Sequence, residues 1–135
     1  GFKSGLSSLK FANNLALMGV VQQPTIESLA EWVIDNNDLG CYHGLTSLGF
    51  SLPLASEVKN RTYRRAWIQG ALQAVYDRLK SILSVDELRR YNFGVIFMKH
   101  LLCEVLQWKS RLYEIVGLPQ CVVKTTTITN RTYTR

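Results

Sequence analysis

Between Phe11 and Val58 the chain has no lysine or arginine, and after Glu114 it has no acid. It also lacks any CxxC pair. Its three cysteines, Cys41, Cys103 and Cys121, are odd in number, which argues against a disulfide framework and predicts reduced, buried thiols. No P-loop, GxGxxG, GxSxG or HExxH pattern occurs, so the commonest signatures of phosphate binding, acyl transfer and zinc hydrolysis are missing. Long apolar runs are missing too. The uncharged stretch 39–56 is cut by Gly40, Gly44, Gly49 and Pro53, so it does not read as a membrane span. The first ten residues are polar and carry Lys3 and Lys10, so no secretory signal is expected there.

What is present suits one folded domain. A chain of 135 residues with 47% hydrophobic content is long enough for a single core and too apolar for general disorder. Charged residues make up only 19%, which is thin for a surface wetted on every side and points to a subunit that hides part of it. The net charge is +6, from 16 lysines and arginines against 10 acids. That balance favours polyanionic partners without requiring them.

The periodicity predicts an all-α fold. Leu6, Leu9, Phe11, Leu15, Leu17 and Met18 fit a helix over 4–19. Thr25 is placed to cap a second, whose stripe is Ile26, Leu29, Ala30 and Val33, ending at Asn36-Asn37. Residues 38–58 read as loop with one short helical piece. The segment 61–83 is a helix with a narrow polar stripe (Arg65, Gln69, Gln73, Asp77, Lys80) and small residues Ala66, Gly70, Ala71 and Ala74; it should be enclosed on several sides. Ser84-x-x-Glu87 is a capping box, and from it a helix can run to Val116, with Asn92 and Gly94 as points where it kinks. The polar face of this last helix reads His100, Glu104, Gln107, Arg111 and Glu114. The expected architecture is thus an all-α helical bundle over 1–119, with two long antiparallel C-terminal helices. An extended basic C-terminal arm follows over 120–135, where threonines and valines favour extension.

Charge is segregated along this plan. Glu27, Glu31, Asp35 and Asp38 are spaced to share one helical face. Lys59, Arg61, Arg64 and Arg65 open the helix at 61, with Thr62 and Tyr63 as hydroxyl donors, and form the best polyanion candidate. Positive charge at a helix start opposes the dipole, which makes sense if an anion sits there. The competing reading is a set of salt bridges between this cluster and the acidic helix. Acidic stripe against basic arms also suits head-to-tail subunit contacts, which need not close.

Cys41, His43, His100 and Cys103 are the ligand types of a metal site or a thiol nucleophile, but their spacing matches no known finger and no orienting group accompanies them. Trp32, Trp67 and Trp108 fit anchors of a core or an interface better than base-stacking platforms.

In the helix pair 61–83 and 85–116, the basic cluster 59–65 and the charged arms, the chain resembles the helical-bundle major coat proteins of filamentous viruses of archaea. That resemblance implies sequence-independent DNA packaging in a virion or inside a cell. It implies no cofactor and no catalysis, with self-association through helix faces and the C-terminal arm. The phosphate contacts would be Lys3, Lys10, Lys59, Arg61, Arg64, Arg65, Lys124, Arg131 and Arg135. An alternative from a different class is an all-α adaptor or viral regulator that takes a partner's amphipathic helix in an apolar groove. A third is an enzyme or metal protein built on the Cys and His residues.

Overall fold

The computed structural model describes residues 5–116, with side chains from Ser8 onward. Lys3 and the expected arm over 120–135, with Lys124, Arg131 and Arg135, lie outside the described residues. Within them the fold is all-helical: α1 Gly5–Leu17, α2 Ile26–Asp35, α3 Gly40–Ser47, α4 Arg61–Ile82, α5 Val85–Arg90 and α6 Val95–Val116.

Local chemistry sets most of these boundaries. The Thr25 hydroxyl accepts from the Ser28 backbone N–H at 3.1 Å and starts α2. The Asn60 side chain accepts from the Tyr63 N–H at 3.1 Å and starts α4. The capping box at Ser84 is complete: its hydroxyl accepts from the Glu87 N–H at 3.3 Å, while the Glu87 carboxylate accepts from the Ser84 N–H at 2.8 Å.

One expected helix needs correction. The helix predicted over 85–116 is two helices. Asn92 takes φ 46°, in the left-handed region. There the Phe93 N–H reaches back to the Leu88 carbonyl at 2.9 Å and the Asn92 N–H to the Arg89 carbonyl at 3.1 Å. This is a Schellman ending with asparagine in the usual glycine position, a full stop rather than a kink. The short helical piece expected within 38–58 is α3. It ends by the same device at Gly49, whose φ is 95°.

Gly44 has a separate role. A Cβ added there would overlap the Leu102 carbonyl oxygen, so α3 crosses α6 at a distance that only glycine allows.

α3 packs on α6 and α2 packs on α4, whereas α4 and α6 touch each other only slightly. The core lies between these two pairs. Leu29, Ala30 and Val33 come from α2, Cys41 and Leu45 from α3, Ile68 and Leu72 from α4, and Met98 and Leu102 from α6. The Tyr42 hydroxyl is buried with them and donates to the Leu52 carbonyl at 3.1 Å. This places the loop after α3 under the start of α4.

The expectation that α4 is enclosed on several sides also fails within one chain. Only Ile68, Ala71 and Leu72 of its 22 residues are buried. Tyr63, Trp67 and Ile82 are about half exposed.

Candidate functional site

The basic start of α4 faces the acidic stripe of α2. Arg61 donates from Nη1 to Asp35 Oδ1 at 2.6 Å and from Nη2 to Asp35 Oδ2 at 3.1 Å. The same Nη2 reaches Glu31 Oε2 at 2.8 Å. One turn on, Arg65 donates to the other oxygen of Glu31 at 2.9 Å and lies 3.4 Å from Glu27. The register is simple: acids at 27, 31 and 35 repeat every four residues, as do the arginines at 61 and 65, so two packed helices bring them opposite each other. The Arg61 and Arg65 guanidiniums hold the Glu31 carboxyl below its usual range, and Arg61 does the same for Asp35. The carboxylates in turn push Arg61 further up, Asp35 most strongly.

This geometry supplies the anion that a positively charged helix start calls for. It also divides the sequence-predicted phosphate contacts. Arg61 and Arg65 are engaged within the chain. Lys59 is exposed and makes no ion pair among the described residues. Arg64 is half-buried, and its Nε lacks an acceptor among the described residues. Lys10 is exposed on α1, close enough to α6 for its charge to act on His100. Asp38 lies beyond the end of α2, so the four-acid face becomes a three-acid one.

The second feature is apolar. A trough of about 420 Å³ runs between α4 and the segment 50–52, with Phe50, Leu52, Tyr63, Trp67 and Gly70 among its walls. A neighbouring hollow of about 310 Å³ shares Phe50 and continues past Ala74 and Val75 to Leu79. From Tyr63 to Leu79 the surface extends for roughly 24 Å at 1.5 Å per residue. Its floor is low because a Cβ added at Gly70 meets nothing within 4 Å. Tyr63 and Trp67 stand at one end with ring centroids 6.2 Å apart.

The third feature is the far end of α6. Leu102 is the last buried residue of that helix. Lys109 still reaches the Ser47 carbonyl at 3.4 Å, but Trp108, Leu112, Ile115 and Val116 are 56–82% exposed. The part beyond Leu102 is on the order of 20 Å long. Two apolar surfaces, one concave and one a helix end, are therefore uncovered among the described residues.

The thiols and imidazoles are arranged differently. Cys41 is buried in the core, and burial together with the nearby Cys103 pushes its pKa up to about 12. A thiol held that high is a poor nucleophile at neutral pH. Burial also raises Cys103. Among the described residues no three His, Cys, Asp or Glu side chains converge as a bound metal requires. No described helix is long and apolar enough to cross a membrane.

The sequence reading missed Lys99, which is 5% exposed. Its position carried a signal: four residues after Val95 and three before Leu102, it falls on the apolar stripe of α6. The trough was missed for another reason. Its second wall comes from residues 50–52, which no periodicity could place.

No family model, curated protein or solved structure matches the chain.

Proposed function

We propose that the protein is a self-assembling structural subunit in which the exposed end of α6 from one copy seats in the α4 trough of the next. The observation that carries this is the presence, in one chain, of an apolar trough roughly 24 Å long and an exposed apolar helix end roughly 20 Å long. They lie on different elements, so one copy can give its helix end while its own trough takes the next copy's, a head-to-tail contact. Contacts of that kind build rings or filaments according to the rotation they impose. Small residues at Ala66, Gly70 and Ala74 favour close approach of a second helix.

Packaging of nucleic acid, as in the coat proteins the sequence resembles, belongs to the same proposal. It would rest on the cations outside the α2–α4 ion pairs: Lys10, Lys59 and Arg64, together with Lys3, Lys124, Arg131 and Arg135. The net charge of +6 supports it.

The test uses two variants, Ala66→Glu to block the trough and Ile115→Glu to block the helix end. Each alone should abolish assembly. Mixed, the first supplies an intact α6 end and the second an intact trough, so a one-to-one dimer should form and grow no further. Monomers in the mixture would contradict head-to-tail association. A wild type that is also monomeric would contradict self-assembly and favour the adaptor reading, in which the trough takes the helix of a different protein.

A further inference from the structure

Asn13, Trp32 and Lys99 face one small cavity from three helices. It lies where α1, α2 and α6 meet, has a volume of about 40 Å³, and includes Leu29 and Ile96 among its walls. Asn13 is 4% exposed, and its Nδ2 finds no acceptor among the described residues. The buried Nε1 of Trp32 finds none either. Lys99 is 5% exposed, and no carboxylate among the described residues lies within ion-pair distance of it. Its ammonium stands 5.9 Å from the centroid of the Trp32 ring, a contact that helps a cation but does not neutralise it.

The groups without an acceptor, the Asn13 NH₂ and the Trp32 indole N–H, are both donors, and the Lys99 ammonium, which meets the Cys103 side chain, is a third donor with no carboxylate to balance its charge. Buried donors left unpaired are destabilising, and a buried ammonium without an anion more so. Folded proteins satisfy such groups through a bound water or ligand. A metal cation is excluded by the Lys99 charge. Water could serve the two neutral N–H groups but would leave that charge uncompensated. His100, next along α6, has its pKa lowered by burial first and then by Lys99 and Lys10, with Glu104 opposing.

Size narrows the choice further. A water needs on the order of 10–15 Å³ of such volume, so the cavity takes a group equivalent to about three or four waters and is too small for a sugar or a nucleotide.

We propose that this cavity binds one small monovalent anion, a halide or a formate-sized carboxylate, held by the Lys99 ammonium and the N–H groups of Asn13 and Trp32. The anion would fasten α1 to the α2–α6 side of the core. Among the described side chains of α1 only Asn13 and Ala16 are buried, so its attachment depends on what these donors find.

Thermal melting of the full chain tests this in sodium chloride, bromide or formate, with sodium gluconate holding ionic strength constant. Gluconate is too large to enter. The expected result is a saturable rise in Tm for the three small anions, on the order of 5–10 °C at a hundredfold excess over Kd. Lys99→Met, which keeps the length of the side chain, should abolish the dependence, and Asn13→Leu should weaken it. Should Lys99→Met fail to fold, the wild type decides alone. An anomalous bromide peak beside Lys99 Nζ in a crystal soaked with bromide supports the site. Water density there, or a melting temperature that does not distinguish bromide from gluconate, overturns it.

Discussion

Arg61 grips Asp35 with two parallel hydrogen bonds, at 2.6 and 3.1 Å, across 26 residues of chain. The bidentate fork fixes the start of α4 against the end of α2, and Glu31 ties the same guanidinium to Arg65.

The pH dependence follows from this geometry. Asp35 and Glu31 have folded pKa values below their ordinary 3.8 and 4.5. As pH falls through the ordinary range, the unfolded chain takes up protons first, and the folded form loses its advantage. Stability should be level at neutral pH, begin to fall near pH 4.5, and keep falling until the folded carboxylates are protonated. Arg61→Ala should lower Tm at neutral pH and make the acid decline shallower. In ~1 M salt, where the screening length is about 3 Å, the difference between variant and wild type should shrink, because these groups are largely exposed. Melting followed by circular dichroism across the acid range checks both points.

Ser84 offers a cleaner local test. α5 is six residues long and contributes no buried residue, so its capping box carries much of its stability. Ser84→Ala removes the acceptor for the Glu87 N–H and should cost about 1 kcal/mol in urea unfolding. Ser84→Asp, which keeps an acceptor, should recover most of the loss.

Two glycine substitutions should move in opposite directions. A Cβ at Gly44 runs into the Leu102 backbone, which cannot yield without parting α3 from α6. Gly44→Ala should therefore destabilise by ~1–3 kcal/mol or more. Gly70 sits in the middle of α4 with open space around it, so in an isolated chain Gly70→Ala should stabilise by ~0.5–1 kcal/mol. Urea midpoints measured at low protein concentration distinguish the two. At high concentration the Gly70 variant should assemble less well, because the added methyl raises the trough floor.

These cases also show what could be read ahead of the structure. Thr25, Asn36 and the Ser84–Glu87 box set helix ends through side-chain-to-backbone bonds within four residues, so the sequence displays them directly. Gly40 and Gly44 look like loop signals in the sequence, yet both lie in α3. Sequence alone does not distinguish a glycine that breaks a helix from one that lets a helix approach its neighbour, and here the neighbour is α6, sixty residues away. Asn92 showed as a weak point, but its left-handed backbone and the resulting full stop depend on Leu88 and Arg89 offering carbonyls to the turn. The acid and arginine spacing was visible on each helix separately. Their pairing required α2 to lie on α4, a tertiary fact, although the salt-bridge reading of the basic cluster anticipated it.

Polyanion binding should divide along the same line. If Lys59 and Arg64 contact phosphates, Lys59→Gln and Arg64→Gln should each weaken binding to DNA of any sequence and reduce the salt slope by about 1. Arg61→Gln, which disrupts an internal pair, should lower Tm more than it changes that slope. Fluorescence anisotropy with a labelled duplex across a salt series provides the measurement. A slope that responds to Arg61 and ignores Lys59 would place the phosphates elsewhere.

Sedimentation velocity of the unmodified chain over a wide concentration range tests self-association most directly. The trough on α4 and the bare end of α6 predict a weight-average sedimentation coefficient that climbs with concentration toward large species, and an Ile115→Glu chain that stays small throughout. A wild-type coefficient fixed at the monomer value across the whole range would contradict it.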